Sequence, residues 1–224
     1  VLVERGAGHA ASCPDKAYLD AGATMVDDAA SLWAEADIIL KINAPREHPD
    51  TGEHEVDLLD EGDILVSLLD PAQNEDLLDR IVARGATAFA LDCVPRLSRA
   101  QSVDVLSSMA GIAGYRAVIE AANEYGRFFG AQMTAAGSTP PAEVMIIGAG
   151  VAGLSSIATA GEMGAAVKAF DVRPTVREEV ESLGGRFLEL DLKREGAEGE
   201  GGYAKEMSPE FIEAEMAMFE EEIP

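Results

Sequence analysis

Gly148, Gly150 and Gly153 stand at the one-three-six spacing of a dinucleotide-binding turn. They follow the apolar run Val144 to Ile147 and open the small-residue run Gly150 to Met163. A strand, a tight turn and a helix in that order form the context this glycine pattern needs. Gly148 would allow the sharp turn, Gly150 would let the backbone approach a pyrophosphate, and Gly153 would let the helix pack closely on its strand. The helix start would offer free N–H groups and about half a positive charge to the phosphates. Asp171 lies 23 residues after Gly148, at the end of the next apolar run, Ala166 to Phe170. A carboxylate there accepts hydrogen bonds from adenosine ribose hydroxyls and repels a 2′-phosphate. At about 4 Å and an effective dielectric near 20, each like-charge contact costs roughly 4 kcal/mol. The pattern therefore predicts NAD(H) in preference to NADP(H). Arg173 is read as lying over the adenine or ribose, although a guanidinium there is also able to neutralise a phosphate. A structural glycine turn with a capping Asp171 is the competing reading.

A second polar grouping runs from Pro95 to Ser108. Gln101, Asp104 and Ser107 are spaced three apart, which on one helical face would let an amide, a carboxylate and a hydroxyl grip one polar ligand. The plainer reading makes Ser102 or Asp104 a helix N-cap. Cys13 and Cys93 lie far apart with no CxxC or Cys/His spacing, so neither a disulfide framework nor a metal site is expected.

The elements that must position these residues alternate short Val/Ile-rich runs with longer amphipathic ones, the grammar of βα units around a parallel sheet. Strands are predicted at Val1 to Glu4, Ala23 to Val26, Asp37 to Ile42, Ile64 to Leu69 and Ala86 to Leu91. Helices fall at Pro14 to Leu19, Ala29 to Glu35 and Asn74 to Ala83. Residues 46 to 62 carry seven carboxylates between Gly and Pro breakers and read as a solvated loop. From about Val103 to Ala131 one long helix is predicted. Gly137 to Pro141 then punctuates the chain before strands at Val144 to Ile147, Ala166 to Phe170 and Arg186 to Leu190. Helices at Gly150 to Met163, Thr175 to Leu183 and from Ser208 to Glu222 complete the pattern. The expected architecture is α/β, with two Rossmann-like parallel-sheet domains. Residues 1–102 form the first domain, lacking its start. Residues 103–136 form an interdomain helix and linker, and residues 137–224 form the N-terminal part of a nucleotide-binding Rossmann domain.

The 224 residues contain 17 Lys plus Arg against 41 Asp plus Glu, a formal net charge of -24. Such a surface repels phosphate backbones, so nucleic acid is excluded as a partner class. A pyrophosphate bound locally at a helix end is not excluded, because exposed charges beyond about 8 Å are screened at physiological salt. Only five of the basic residues are Lys, and the carboxylates are spread along the chain, which is read as a sign of a high-salt source. Residues 144 to 161 carry no charge, but four glycines and a change from β-branched to Ala/Ser-rich composition favour strand, turn and helix over a membrane span.

The segments PRLSRAQSVDVLSSMAGIAGYRAV, GAGVAGL, FDVRP, FLELD and GGYAKEMS, together with the early AGA turn and IILKINAP, stand in one order along nearly the whole chain. This set resembles the NAD(H)-binding domain of proton-translocating NAD(P) transhydrogenase alpha subunits. The resemblance implies that Arg96, Arg99, Gln101, Asp104 and Ser107 contact the nicotinamide end of NAD(H), with Gln101 and Asp104 in the catalytic network. It implies that Val151 and the segment Asp171, Val172 and Arg173 hold the pyrophosphate and adenosine, and that Gly202 and Tyr203 belong to a loop that closes over bound nucleotide. It further implies hydride transfer to NADP(H) on a partner, NADP-binding and membrane-spanning partner subunits, and a homodimer. The expected location is the cytoplasmic face of the inner or plasma membrane. Family members have sequence before the segment matched by Val1 and further strands after the last helix, so both domains are expected to be incomplete, with weak NADH binding by the 224 residues alone.

Alanine dehydrogenases share the superfamily. Oxidising an amine at carbon needs a group that manages a proton. Where those enzymes carry a histidine, this chain reads Ser67-Leu68-Leu69-Asp70-Pro71-Ala72-Gln73. Lys41 is shared with them. An amino-acid dehydrogenase and a non-catalytic NAD-binding module are the alternatives.

Overall fold

The computed structural model describes residues 1–48, 52–190 and 207–223. The chain divides into two compact units, Val1–Pro95 and Arg96–Pro224.

In the first unit β1 (Leu2–Glu4) leads through α1 (Asp15–Asp20) to β2 (Thr24–Val26), its parallel partner. Next come α2 (Ala29–Glu35), β3 (Ile38–Leu40), β4 (Ile64–Ser67), α3 (Glu75–Ala83) and β5 (Thr87–Ala90). Strands β3, β4 and β5 form a parallel sheet in that order, which requires crossovers of this length between neighbours. The Asp28 side chain accepts a 2.8 Å bond from the Ser31 N–H and so starts α2. Register aligns Ile39, Leu65 and Ala88 on one face of the sheet. That row is packed against Trp33, Val56, Leu59 and Ile81. The alternate row, Leu40, Val66 and Phe89, faces the other way, with Leu40 77% and Phe89 57% exposed.

The solvated loop expected at 46 to 62 is only partly that. A 3₁₀ turn spans Glu55–Leu58, Val56 and Leu59 are fully buried, and Glu55 is buried with them. Two apolar side chains three apart plug the sheet face, and the surrounding carboxylates hid them from the periodicity.

The second unit holds α4 (Val105–Tyr125), the antiparallel hairpin β6 (Gln132–Thr134) and β7 (Gly137–Thr139), then β8 (Glu143–Ile147), α5 (Val151–Glu162), β9 (Ala166–Phe170), α6 (Arg177–Ser182), β10 (Arg186–Phe187) and α7 (Pro209–Glu222). Strands β8, β9 and β10 form a parallel sheet with β9 central. Helix α4 is shorter than the predicted Val103 to Ala131, because Gly126 takes φ 64° and closes it with a left-handed cap. Nor is it a linker of its own, as residues 103–136 were expected to be. The Ser155 hydroxyl donates to the Gly111 carbonyl at 2.7 Å, and the Ser156 hydroxyl lies 3.0 Å from that of Gly114. Val118 shares a core with Ala149, Ile157 and Ala169. A Cβ on Gly114 would collide with the Ala152 carbonyl, so this residue sets the approach of α4 to α5. Hairpin β6–β7 was not foreseen; Gly137 to Pro141 had read only as punctuation.

Helix α7 is capped by Ser208, whose hydroxyl accepts from the Phe211 N–H at 3.3 Å, with Pro209 in the first turn. Its Phe211 and Phe219 pack with Phe170 and Leu188. Lys168 on β9 pairs with Glu143 at 2.7 Å and Glu222 at 3.0 Å, and Arg186 on β10 reaches Glu222 at 2.6 Å. These ion pairs tie the end of α7 to the sheet.

Candidate dinucleotide site

Strand β8 ends at Ile147, and the chain reverses through Gly148 at φ +95°, a conformation that costs a side-chain-bearing residue about 1–2 kcal/mol. The Gly148 N–H still reaches the Phe170 carbonyl at 2.8 Å, so the turn is anchored to β9. A Cβ at Gly153 would collide with the Gly148 carbonyl, and only glycine lets α5 start so close to the turn. Among the described residues, a Cβ at Gly150 would meet nothing within 4 Å, as suits a backbone that an anion approaches. Among the described residues no side chain caps the first turn of α5, whose N-cap is Gly150 itself. An uncapped twelve-residue helix with an open glycine at its start has the donors and the dipole for a pyrophosphate.

Asp171 follows β9 and is 6% exposed. One carboxylate oxygen accepts the Ala149 N–H at 2.7 Å, which locks the carboxylate to the glycine turn. The other accepts the Arg173 N–H at 2.8 Å. The Arg173 guanidinium adds Nε to one oxygen and Nη2 to the other, each at 3.0 Å. Burial pushes the Asp171 carboxyl up, but the guanidinium and the two backbone N–H groups outweigh it and hold it below its ordinary value. The Arg173 guanidinium thus folds onto the adjacent buried carboxylate of Asp171. Val172 packs with the cluster around Phe170, and Val151 is the first residue of α5.

The second grouping takes its plainer form. Residues Ser98–Val103 make a 3₁₀ helix, and Asp104, at φ −78° ψ 86°, breaks the path before α4. Gln101, Asp104 and Ser107 thus do not share the face of one helix. Asp104 is the N-cap of α4, accepting the Ser107 N–H at 2.9 Å and the Ser107 hydroxyl at 2.6 Å. Those two bonds, with the charge of Arg96 adding to them, hold the Asp104 carboxyl low. Arg96, Arg99 and Gln101 are exposed, so their side chains are accessible to a ligand. Gly202 and Tyr203 lie outside the described residues.

The structure brings Gly148, Gly150, Gly153, Asp171 and Arg173 into one site, and gathers Arg96, Asp104 and Ser107 in another. Sequence reasoning missed the Ala149 N–H, the donor that joins turn to carboxylate, because a backbone group leaves no mark in residue type. It also missed the partner of Lys41, whose ammonium donates to the buried Glu55 carboxylate at 2.9 Å. The second oxygen of Glu55 accepts the Arg46 N–H, also at 2.9 Å. A cleft of about 660 Å³ nearby, lined by Arg46, Glu47, His54, Gln73, Asp76 and Arg80 among others, mixes both signs of charge and contains none of the motif residues.

Two family models, the alanine dehydrogenase/PNT N-terminal domain and C-terminal domain, match residues 1–113 and 117–224. The chain belongs to the alanine dehydrogenase/PNT family. Within it, NAD(P) transhydrogenase subunit alpha of Haemophilus influenzae is 50% identical over 99% of this chain and 42% of its own length. Alanine dehydrogenase of Mycolicibacterium smegmatis is 32% identical over 84% of this chain and 49% of its own length. The solved transhydrogenase of Sinorhizobium meliloti superposes with a TM-score of 0.78 at 44% identity, covering 84% of this chain and 55% of that one. The chain thus spans roughly half the length of these family members. The Rossmann-like α/β architecture expected from the sequence is that of the family. Among the described residues no helix is long and apolar enough to cross a membrane.

Proposed function

We propose that this chain is the NAD(H)-binding part of an NAD(P) transhydrogenase. Hydride passes directly between NAD(H) held here and NADP(H) held by a partner, and in the full complex this is coupled to proton translocation through membrane-spanning segments. The observation that carries the reading is the union of an uncapped α5, an open Gly150 and a buried Asp171 fixed to the Ala149 N–H at 2.7 Å. When bound, NAD(H) supplies a hydride donor or acceptor at its nicotinamide ring. The chain's own residues bind and orient. Gly148, Gly150 and Gly153 shape the pyrophosphate turn, the first turn of α5 from Val151 supplies N–H donors, and Asp171 with Val172 and Arg173 forms the adenosine end. Arg96, Arg99 and Gln101 hold the nicotinamide end, and the Asp104–Ser107 cap sets where Gln101 stands. The complex is a homodimer of this part with NADP-binding and membrane-spanning subunits, at the cytoplasmic face of the membrane.

Transfer between two nicotinamides needs positioning and no protein acid or base. The family's other chemistry, amino-acid oxidation, needs a proton-handling side chain, and Ser67 to Gln73 provides no histidine. Lys41 donates to the buried Glu55 carboxylate at 2.9 Å, so a substrate carboxylate would have to compete for that ammonium. These two observations favour transhydrogenation. In the intact complex Gln101→Asn is expected to slow single-turnover hydride transfer at least tenfold while changing NADH affinity less than threefold. An unchanged rate refutes the role given to Gln101. Turnover of alanine or pyruvate by the wild type refutes the reading as a whole.

A further inference from the structure

An ionised carboxylate has about four acceptor places. All four on Asp171 are filled: by the Ala149 N–H, by the Arg173 N–H, and by Nε and Nη2 of Arg173. The two backbone donors belong to the turn and to the chain after β9, so they stay wherever the backbone stays. The two guanidinium donors belong to a side chain and are exchangeable. They also match, in number and kind, what a ribose diol offers, two polar hydrogens side by side. The guanidinium is 17% exposed and the carboxylate 6%, so no room is left on Asp171 for a diol to bind in addition.

We propose that Arg173 is a specificity-determining latch on the adenosine end of the site, holding on Asp171 the two acceptor places that a nucleotide's ribose must take. This rests on the NAD(H) reading of the glycine turn. Binding is then an exchange of two N–H donors for two O–H donors, while the backbone bonds keep the carboxylate aimed. Two consequences follow. Breaking a charge-assisted fork opposes every nucleotide, so the latch lowers affinity for NADH. The freed guanidinium, two residues from the carboxylate, meets whatever substituent the ribose carries at its 2′ oxygen. A hydroxyl gains little from it, whereas a 2′-phosphate gains a cation that offsets the repulsion of Asp171. Arg173 therefore narrows the gap between NADH and NADPH that Asp171 alone would create.

The test is NADH and NADPH binding, by nucleotide fluorescence, to the intact subunit carrying Arg173→Ala, Arg173→Lys or Asp171→Asn. Arg173→Ala is expected to bind NADH about threefold or more tighter and NADPH no tighter, so the ratio of the two dissociation constants widens at least threefold. Arg173→Lys, which keeps the charge but not the fork, is expected to fall between wild type and Arg173→Ala. Equal weakening of both nucleotides in Arg173→Ala, or an unchanged ratio, overturns the latch while leaving the site in place, provided wild type binds NADH and Asp171→Asn weakens it. Wild type that fails to bind NADH, or Asp171→Asn that binds it as well as wild type, overturns the site reading and the latch with it. If the alanine variant does not fold, Arg173→Lys decides, since the latch requires its NADH-to-NADPH ratio to differ from wild type.

Discussion

At the residue scale, the site turns on one buried carboxylate. Asp171 keeps its charge because three groups donate to it, and that arrangement has a pH signature. Burial raises the carboxyl, and the Arg173 guanidinium and the Arg173 and Ala149 N–H groups pull it down further than burial lifts it. A carboxyl depressed in the folded state contributes stability that is complete above its unfolded value of about 4 and is lost as pH falls through the folded one. Asp104, held low by the Ser107 hydroxyl and N–H, acts in the same direction. Thermal unfolding of the wild type is expected to be nearly flat from pH 7 to 5 and to fall steeply below about 4. Asp171→Asn should flatten part of that acid limb, and an identical pH profile in the variant would show that the carboxylate is not held as described. Charge at this position was legible from the Gly148-to-Asp171 spacing, but its partners were not. The Arg173 fork on Asp171 went unread because sequence spacing says nothing of which neighbour a side chain bonds.

At the element scale, the parallel-sheet grammar was readable because most of its strands fall in short apolar runs, several of them rich in Val and Ile. Positions β4, β5, β8 and β9 fall where those runs fall. Errors came where tertiary contacts override local pattern. The break at Asp104 splits an apparent three-residue periodicity into a 3₁₀ helix and α4, since capping the longer helix outweighs continuing the shorter one. The Glu55–Leu58 turn was hidden among carboxylates, yet Leu59 beside it is fully buried and contacts the sheet core. Leu59→Ala is expected to cost about 2–5 kcal/mol, which a denaturant titration would read as a lower midpoint. A cost below 1 kcal/mol would mean that this segment is peripheral after all. Hairpin β6–β7 went unread because Gln132 to Thr134 lacks the apolar alternation by which strands are found.

At the scale of the whole molecule, a charge of -24 is compatible with the proposed pyrophosphate site, because the turn and the helix end act over a few ångströms. Self-repulsion of this size destabilises a compact chain, and at 1 M salt the screening length shrinks to about 3 Å. The melting temperature is expected to rise by several degrees between 0.05 and about 1 M potassium chloride, and a lower value in molar salt would refute the high-salt reading of the composition. Transhydrogenation is decided by where the hydride goes. Intact complex mixed with NADH deuterated at the transferred position and with an NADP analogue is expected to place the label in the reduced analogue, with none in solvent and no dependence on alanine or pyruvate. Label appearing in water, or transfer only when an amino or oxo acid is present, would contradict it.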